Sequence, residues 1–256
     1  PLARNPPREL ILARLLSGDE DLAIANAELA AHREQLGRRG VSVRVAAYTT
    51  TEPGADTALL AIEHDVDLVL VDPPVGLLES GRIEDDLSIL LERAPCDVGV
   101  LVGSGDVTRG PVVTPFGGVE HDWSAIELAA WLAGSLGTSL RLLGAKGDAS
   151  LGRRDASRLL ARASLLVQQV VGIVTEPVLV SPGEEGVLEA ARDAGLLVVG
   201  LSERWRAEGL GTTRLAVASA AAVPTLFVRR GLRPSGVAPP ETMTRFTWTI
   251  ATPRER

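Results

Sequence analysis

An unbroken apolar run at residues 196–201 leads into a glycine-punctuated polar loop, an alanine-rich stretch and a second apolar run at 225–229. The whole segment, 196–229, reads LLVVGLSERWRAEGLGTTRLAVASAAAVPTLFVR. No other feature restricts the possible folds so strongly. An apolar run without alternation suits a strand covered by helices on both faces. Gly209 and Gly211, followed by Thr212 and Thr213, mark a loop turning into a helix. A helix start presents free backbone N–H groups along its dipole, which makes it a ready cradle for an anion. The segment therefore predicts a strand–loop–helix–strand unit of a parallel sheet.

Composition narrows the function more than the fold. A chain of 256 residues holds two domains or one large α/β domain. With 45% apolar and only 3% aromatic residues, the core must be built from Leu, Val and Ala, as in close helix–sheet packing. A net charge of −7, with no basic stripe, argues against nucleic acid as a partner. Cys96 is the sole cysteine, which excludes a disulfide framework and a thiolate zinc site. A cytoplasmic location is expected. No apolar run approaches the roughly 18 residues of a membrane span, so direct membrane insertion is not expected.

Taken in order, the pattern predicts strands at 8–16, 41–48, 68–71 and 98–102, with helices at 21–37, 55–65 and 83–93. A polar, glycine-rich stretch at 104–110 is the expected linker. The second half repeats the alternation, with strands at 112–116, 139–143, 173–180, 196–201 and 225–229. Its helices fall at 122–137, 155–171, 184–194 and after 211, and Asp122 is the expected N-cap of the first. Alternation of this kind implies parallel strands and right-handed crossovers.

The two halves also match each other. Residues 54–72 (GADTALLAIEHDVDLVLVD) align on 183–201, and 94–102 (APCDVGVLV) on 222–228 (AVPTLFV). Residues 2–13 match 132–145, which places residue 1 at the end of the first helix of a repeat. The first half is then a copy of the second without its opening strand and helix. A parallel sheet without that strand has unpaired edges. The expectation is that upstream material, or another segment, fills the gap. The domains so defined are 1–105, a first, incomplete repeat; 110–231, a complete second repeat; and 232–256, a proline-rich tail. In the tail, RFTWTI at 245–250 alternates like a strand with one buried face.

An α/β repeat of this size, with a phosphate-type loop after the fourth strand and Pro-Thr before the fifth, resembles the universal stress protein family. The resemblance covers nearly the whole chain as two tandem copies. It implies two open parallel-sheet sandwiches of the adenine nucleotide alpha hydrolase-like type. Stretches such as PVVTPFGGVEHDWSAIELAAWLA and GLLVVGLSERWRAEGLGTTR are similar to the stress-protein pair at the cytosolic end of bacterial cation/proton antiporters. That likeness implies a non-enzymatic regulatory or scaffold module. Its implied setting is a chain tethered to the inner face of the membrane, with the transporter domain of the same polypeptide as partner and a homodimer as assembly. A free-standing ATP-binding tandem stress protein and a slow ATPase are the alternatives.

The same resemblance implies an adenine nucleotide, such as ATP, in the second repeat, and no metal. The cofactor-binding candidates are Thr114, Gly117, Gly200, Arg204, Gly211, Thr212 and Thr213. Gly200 matches the first glycine of the family's Gly-x2-Gly-x9-Gly-Ser/Thr loop, and Gly211–Thr212 its closing pair. Glu203 stands where the second glycine belongs, and the loop is two residues shorter. Thr114–Pro115 occupies the first-strand end where the family carries Asp. The equivalent first-repeat loop, DPPVGLLESGRIEDDL at 72–87, carries Asp72, Glu79, Glu84, Asp85 and Asp86 against Arg82 alone. Carboxylates there occupy the dipole that a phosphate would use, so no nucleotide is expected in that repeat.

Other residues have plainer readings. His32 and His64 are expected at the surface, and His121 near the second-repeat cleft is a candidate ligand contact or pH sensor. Trp123 and Trp131 lie two turns apart on one helix and are expected in the core. Trp205, in a polar loop, is expected to anchor that loop, with closure over a ligand as the alternative. Cys96 precedes a buried strand and is expected to be an inert core thiol.

Overall fold

Side chains alternate across each strand, and that alternation sorts this chain into one main sheet with helices on both faces. The structure is a computed structural model that describes residues 3, 7–18, 20–147, 154–232 and 237. The predicted strand at 245–250 lies outside the described residues.

The first half runs β1 (Glu9–Leu16), α1 (Leu22–Arg38), β2 (Ser42–Thr49), α2 (Pro53–Glu63), β3 (Leu68–Val71), α3 (Leu77–Ser80), α4 (Asp85–Arg93) and β4 (Asp97–Val102). The second runs β5 (Val112–Pro115), α5 (Glu120–Leu136), β6 (Leu140–Ala145), α6 (Ser157–Val170), β7 (Thr175–Val180), α7 (Glu184–Ala190), β8 (Leu196–Gly200), α8 (Trp205–Glu208), α9 (Thr212–Ala220) and β9 (Thr225–Arg229). Every strand predicted within the described residues is present. The two four-residue helices, α3 and α8, were not expected. Asp122 is a correction: the N-cap of α5 is Val119, and Asp122 lies inside the first turn.

The main sheet has the order β3-β4-β9-β8-β5-β6-β7, and β1 pairs with β2 in a separate two-stranded sheet. Among the described residues all strand pairings are parallel except one. β4 and β9 run antiparallel, with Val98 opposite Arg229, Val100 opposite Phe227 and Val102 opposite Thr225. Within the second half the order is β9-β8-β5-β6-β7, a doubly wound sheet that reverses between β5 and β8. The last strands of the two halves thus join edge to edge into one sheet.

Burial follows the two faces. Val113, Leu143, Leu197, Val199, Phe227, Val98, Val100 and Val102 face a cluster with α2, α4, α7 and α9. Val112, Leu140, Leu142, Leu196, Val198, Leu226 and Val228 face the opposite cluster, built on α5 and α6. Single apolar strand runs supply both, which is why the unbroken sequence runs read correctly as doubly covered strands. Cys96 is buried, as expected of an inert thiol. The stretch at 104–110 is a docked turn: Asp106 accepts from the Thr108 N–H (3.0 Å), and Gly110 has room only for hydrogen beside the Asp193 carbonyl.

Asp97 opens β4 at the edge of this core, and its Oδ1 accepts from the Gly231 N–H (2.6 Å). Burial raises its pKa; the Gly231 hydrogen bond and nearby Arg229 and Arg230 oppose this, while Glu127 adds to it. A pKa raised on folding favours the folded state below the unfolded value of 3.8, and that benefit is lost as pH rises through the folded value. Asp97→Asn, which keeps the acceptor, is expected to raise Tm by a few degrees at pH 7. The gain should vanish below pH 3.8; melting curves across pH check both.

Candidate functional site

The reversal point of the second-half sheet sets the place where a ligand cleft can open, between the carboxyl ends of β5 and β8. A three-residue cluster fills it. Arg214, near the start of α9, donates from Nε to the Gly200 carbonyl (2.7 Å), and its Nη2 lies 3.0 Å from His121 Nε2. His121 Nε2 is also 3.6 Å from Asp122 Oδ1. Asp122 Oδ2 in turn accepts from the Gly117 N–H (2.8 Å), closing the glycine turn back onto α5. The Arg230 guanidinium pairs with Glu120 and ties the end of β9 to the start of α5.

Glycine at position 200 is explained by this packing. A Cβ there would sit 2.6 Å from the His121 carbonyl oxygen, because the first turn of α5 crosses the end of β8. Its missing side chain therefore accommodates protein backbone. Arg214 carries only donors, so its contact with Nε2 requires a neutral His121 with the proton on Nδ1. Burial accordingly holds the His121 pKa below 6.5; Arg214 acts in the same sense, while Asp122 and Glu203 pull it upward. Burial raises the Asp122 pKa, against the Gly117 hydrogen bond and the charge of Arg214.

These shifts carry a sign. A histidine whose pKa falls on folding adds stability above the unfolded value of 6.5, and that stability is lost as pH drops through the folded value. Wild-type protein should lose melting temperature between pH 7.5 and pH 5. His121→Gln, which keeps an acceptor for Arg214, should show a flatter profile over that range. Equal slopes in the two proteins would remove His121 from the account.

The second feature is the start of α9. Gly211 is its N-cap at φ 77°, and no side chain caps it. Thr212 and Thr213 follow as exposed first-turn residues. Thr212 borders a cleft of about 680 Å³ between the two halves, lined by Ser80, Gly81 and Arg82 on one side and Trp205, Gly211 and Thr212 on the other. Here the two loops dock: the Leu210 N–H donates to the Gly81 carbonyl (2.9 Å). The loops are structural copies. Each has a four-residue helix, a glycine of positive φ (Gly81 at 67°, Gly209 at 59°) and a second helix. In the first half that second helix starts at Asp85 and Asp86 behind Glu84, so acid groups occupy the positions of Thr212 and Thr213.

The predicted residues divide accordingly. Gly117 and Gly200 belong to the Arg214–His121–Asp122 cluster, while Gly211, Thr212 and Thr213 form the α9 start. Thr114 is fully buried in β5 on the same face as Val112, beneath α5, and its hydroxyl finds no partner among the described residues. Arg204 points outward and pairs with Glu208 (3.1 Å). Trp205 is buried in the core below the cleft and anchors the loop, with Arg206 stacked 4.7 Å over its ring and paired to Glu92. The role of Arg214 as the plug of the β5–β8 end depends on side-chain direction, which spacing does not show. His32 and His64 are exposed. Among the described residues no group of three or more His, Cys, Asp or Glu side chains could hold a metal ion. None of the described helices is long and apolar enough to cross a membrane.

Known structures share this architecture. A universal stress protein from Archaeoglobus fulgidus DSM 4304 superposes with a TM-score of 0.57 at 14% identity, covering 87% of this chain and 86% of its own. A putative universal stress protein from Pseudomonas aeruginosa UCBPP-PA14 gives 0.54 at 17% identity, over 86% and 92%. A functionally unknown protein from Pseudomonas aeruginosa PAO1 gives 0.56 at 18%, over 86% and 92%. No family model matches the chain, and no curated protein does. The likeness spans both halves and establishes the universal-stress-protein type of fold.

Proposed function

We propose that this chain is a non-enzymatic regulatory module of tandem universal-stress-protein type that senses one adenine nucleotide in its second half. It serves as the cytosolic part of a membrane cation/proton antiporter, joined to the transporter domain of the same polypeptide and paired as a homodimer. One observation carries the reading: the two copied loops differ in charge at the same helix start. Uncapped Gly211–Thr212–Thr213 presents backbone donors and hydroxyls, whereas Glu84–Asp85–Asp86 presents carboxylates. A phosphate is attracted to the first and repelled from the second. Arg82 lines the cleft beside Thr212 and supplies positive charge for the same anion, while Arg206 is neutralised by Glu92.

The route of regulation follows from the sheet. α9 leads directly into β9, and β9 is the strand that joins the halves. A nucleotide that binds one arrangement of the α9 start more tightly than another shifts the packing of the halves by that difference in affinity, and by no more. Thermal melting with ATP, ADP, AMP and cyclic AMP tests the reading, together with phosphate release as the check on catalysis. A ligand at 100 times its Kd adds about 2.7 kcal/mol, which raises Tm by several degrees in a chain of this size. No shift with any adenine nucleotide, or steady phosphate release, contradicts the proposal. The antiporter attachment is checked in the coding sequence, where apolar membrane-spanning segments are expected in frame ahead of residue 1.

A further inference from the structure

One ring nitrogen near the end of β8 stands between a donor and an acceptor. His121 Nε2 lies 3.0 Å from Arg214 Nη2 on one side and 3.6 Å from Asp122 Oδ1 on the other. It serves one of them at a time. Neutral His121 accepts there from the guanidinium, whereas protonated His121 donates there to the carboxylate, and Arg214 Nη2 then loses its acceptor. The place is largely enclosed, with the His121 and Asp122 side chains each 12% exposed, so an imidazolium and a guanidinium in contact repel strongly. Asp122 is fixed in either state, because its Oδ2 accepts from the Gly117 N–H (2.8 Å). Arg214 also spans two elements. Its Nε donates to the Gly200 carbonyl of β8 (2.7 Å), and its Nη1 lies 3.7 Å from where a Cβ would stand on Gly211, the N-cap of α9.

We propose that Arg214 is a latch between α9 and β8, held closed by neutral His121 and opened when His121 takes up a proton. On opening, the new Nε2–H turns to Asp122, and the guanidinium leaves His121 for the start of α9 beside Gly211. The surrounding charges set where this happens. Burial and Arg214 of α9 lower the His121 pKa, while Asp122 of α5 and Glu203 of the loop after β8 raise it, and the balance lies below 6.5. Arg214 itself is acted on by Asp122, by Glu208 of α8 and by Arg204 ahead of it. The other charges nearby are paired: Glu120 with Arg230 at the end of β9, and Glu208 with Arg204. Once both are ionised, His121 and Asp122 favour each other's charged forms, so the open state supports itself. One consequence rests on the nucleotide reading above. Imidazolium and freed guanidinium both add positive charge near the α9 start, so a phosphate there binds more tightly in acid and, by linkage, raises the His121 pKa.

NMR of the ligand-free full chain reads the latch directly. At pH 7.5 the His121 ring should carry its proton on Nδ1, and the Arg214 Nε–H should exchange more slowly than that of an exposed arginine. As pH falls through the His121 titration, this protection is expected to drop about 10-fold or more. His121→Gln keeps an acceptor at every pH and should hold the protection. Asp122→Asn keeps an acceptor for Gly117 without the charge, and should move the ring titration and the loss of protection together to lower pH. Arg214 protection that ignores the His121 titration, or that falls equally in His121→Gln, overturns the latch. ATP titrated into wild type and His121→Gln at pH 7.5 and 5.5 reads the consequence, with the variant as reference because phosphate itself titrates near pH 6, at about its second pKa. Wild-type affinity should rise about 5-fold or more beyond any rise in the variant. Equal pH dependence in the two proteins overturns the coupling. A latch that opens on schedule with no ATP bound at either pH upholds the latch and refutes the nucleotide reading.

Discussion

Phe227→Ala is expected to lower stability by about 3–5 kcal/mol, the cost of a large buried aromatic replaced by a methyl group. Phe227 is 1% exposed, opposite Val100 at the centre of the antiparallel seam, and it belongs to the cluster that takes side chains from both halves. Native stabilities are only about 5–15 kcal/mol, so the variant should melt roughly 6–20 °C lower at 2–4 °C per kcal/mol. Leu101→Ala provides the contrast, since Leu101 lies on the same seam but is 39% exposed. It should cost less than about 1 kcal/mol. Calorimetry of the two variants measures how far the seam holds the halves together; equal small losses would show that they fold independently of it.

The second large effect is at Gly209. Its backbone is at φ 59° and ψ −133°, and a Cβ there would lie 2.1 Å from the Gly81 carbonyl oxygen. That carbonyl is the acceptor of the Leu210 N–H, so neither partner can move without breaking the docked loops. Gly209→Ala should cost about 1–3 kcal/mol for the crowding, with about 1 kcal/mol more for the left-handed backbone. Gly211 also has positive φ, but the nearest atom to its Cβ is the end of the Arg214 side chain at 3.7 Å. Gly211→Ala should therefore cost only about 1 kcal/mol. Urea unfolding of the pair separates backbone strain from the contact between halves.

Much of the fold was legible because the central strands β5, β8 and β9 are short, doubly covered apolar runs bounded by glycine or proline. Residues 196–201 and 225–229 needed no tertiary information to be read as β8 and β9. The repeat was legible for the same reason, and the unpaired edges of β1 and β3 stand where the missing opening strand belongs. Sequence could not show that the halves share one sheet, because strand direction at the β4–β9 seam depends on how two surfaces meet. α3 and α8 escaped because four residues are too few for periodicity. Asp122 has the residue type of an N-cap, but its carboxylate turns back to Gly117 and α5 begins two residues earlier. The site was legible as a list of residue types and not as a geometry. Spacing puts Gly200 in the loop pattern but does not show the His121 backbone packed against it, and it offers Arg204 without showing its pairing with Glu208.

Isothermal titration of ATP into the chain and into Gly211→Glu tests the central claim most directly. A carboxylate at the α9 start reproduces the acidic first-half loop and should remove binding, while the melting temperature falls only by the cost of about 1 kcal/mol for a side chain at positive φ. The account predicts one equivalent of ATP per wild-type chain and none in the variant. Two equivalents, no binding to wild type, or binding that survives Gly211→Glu would contradict it.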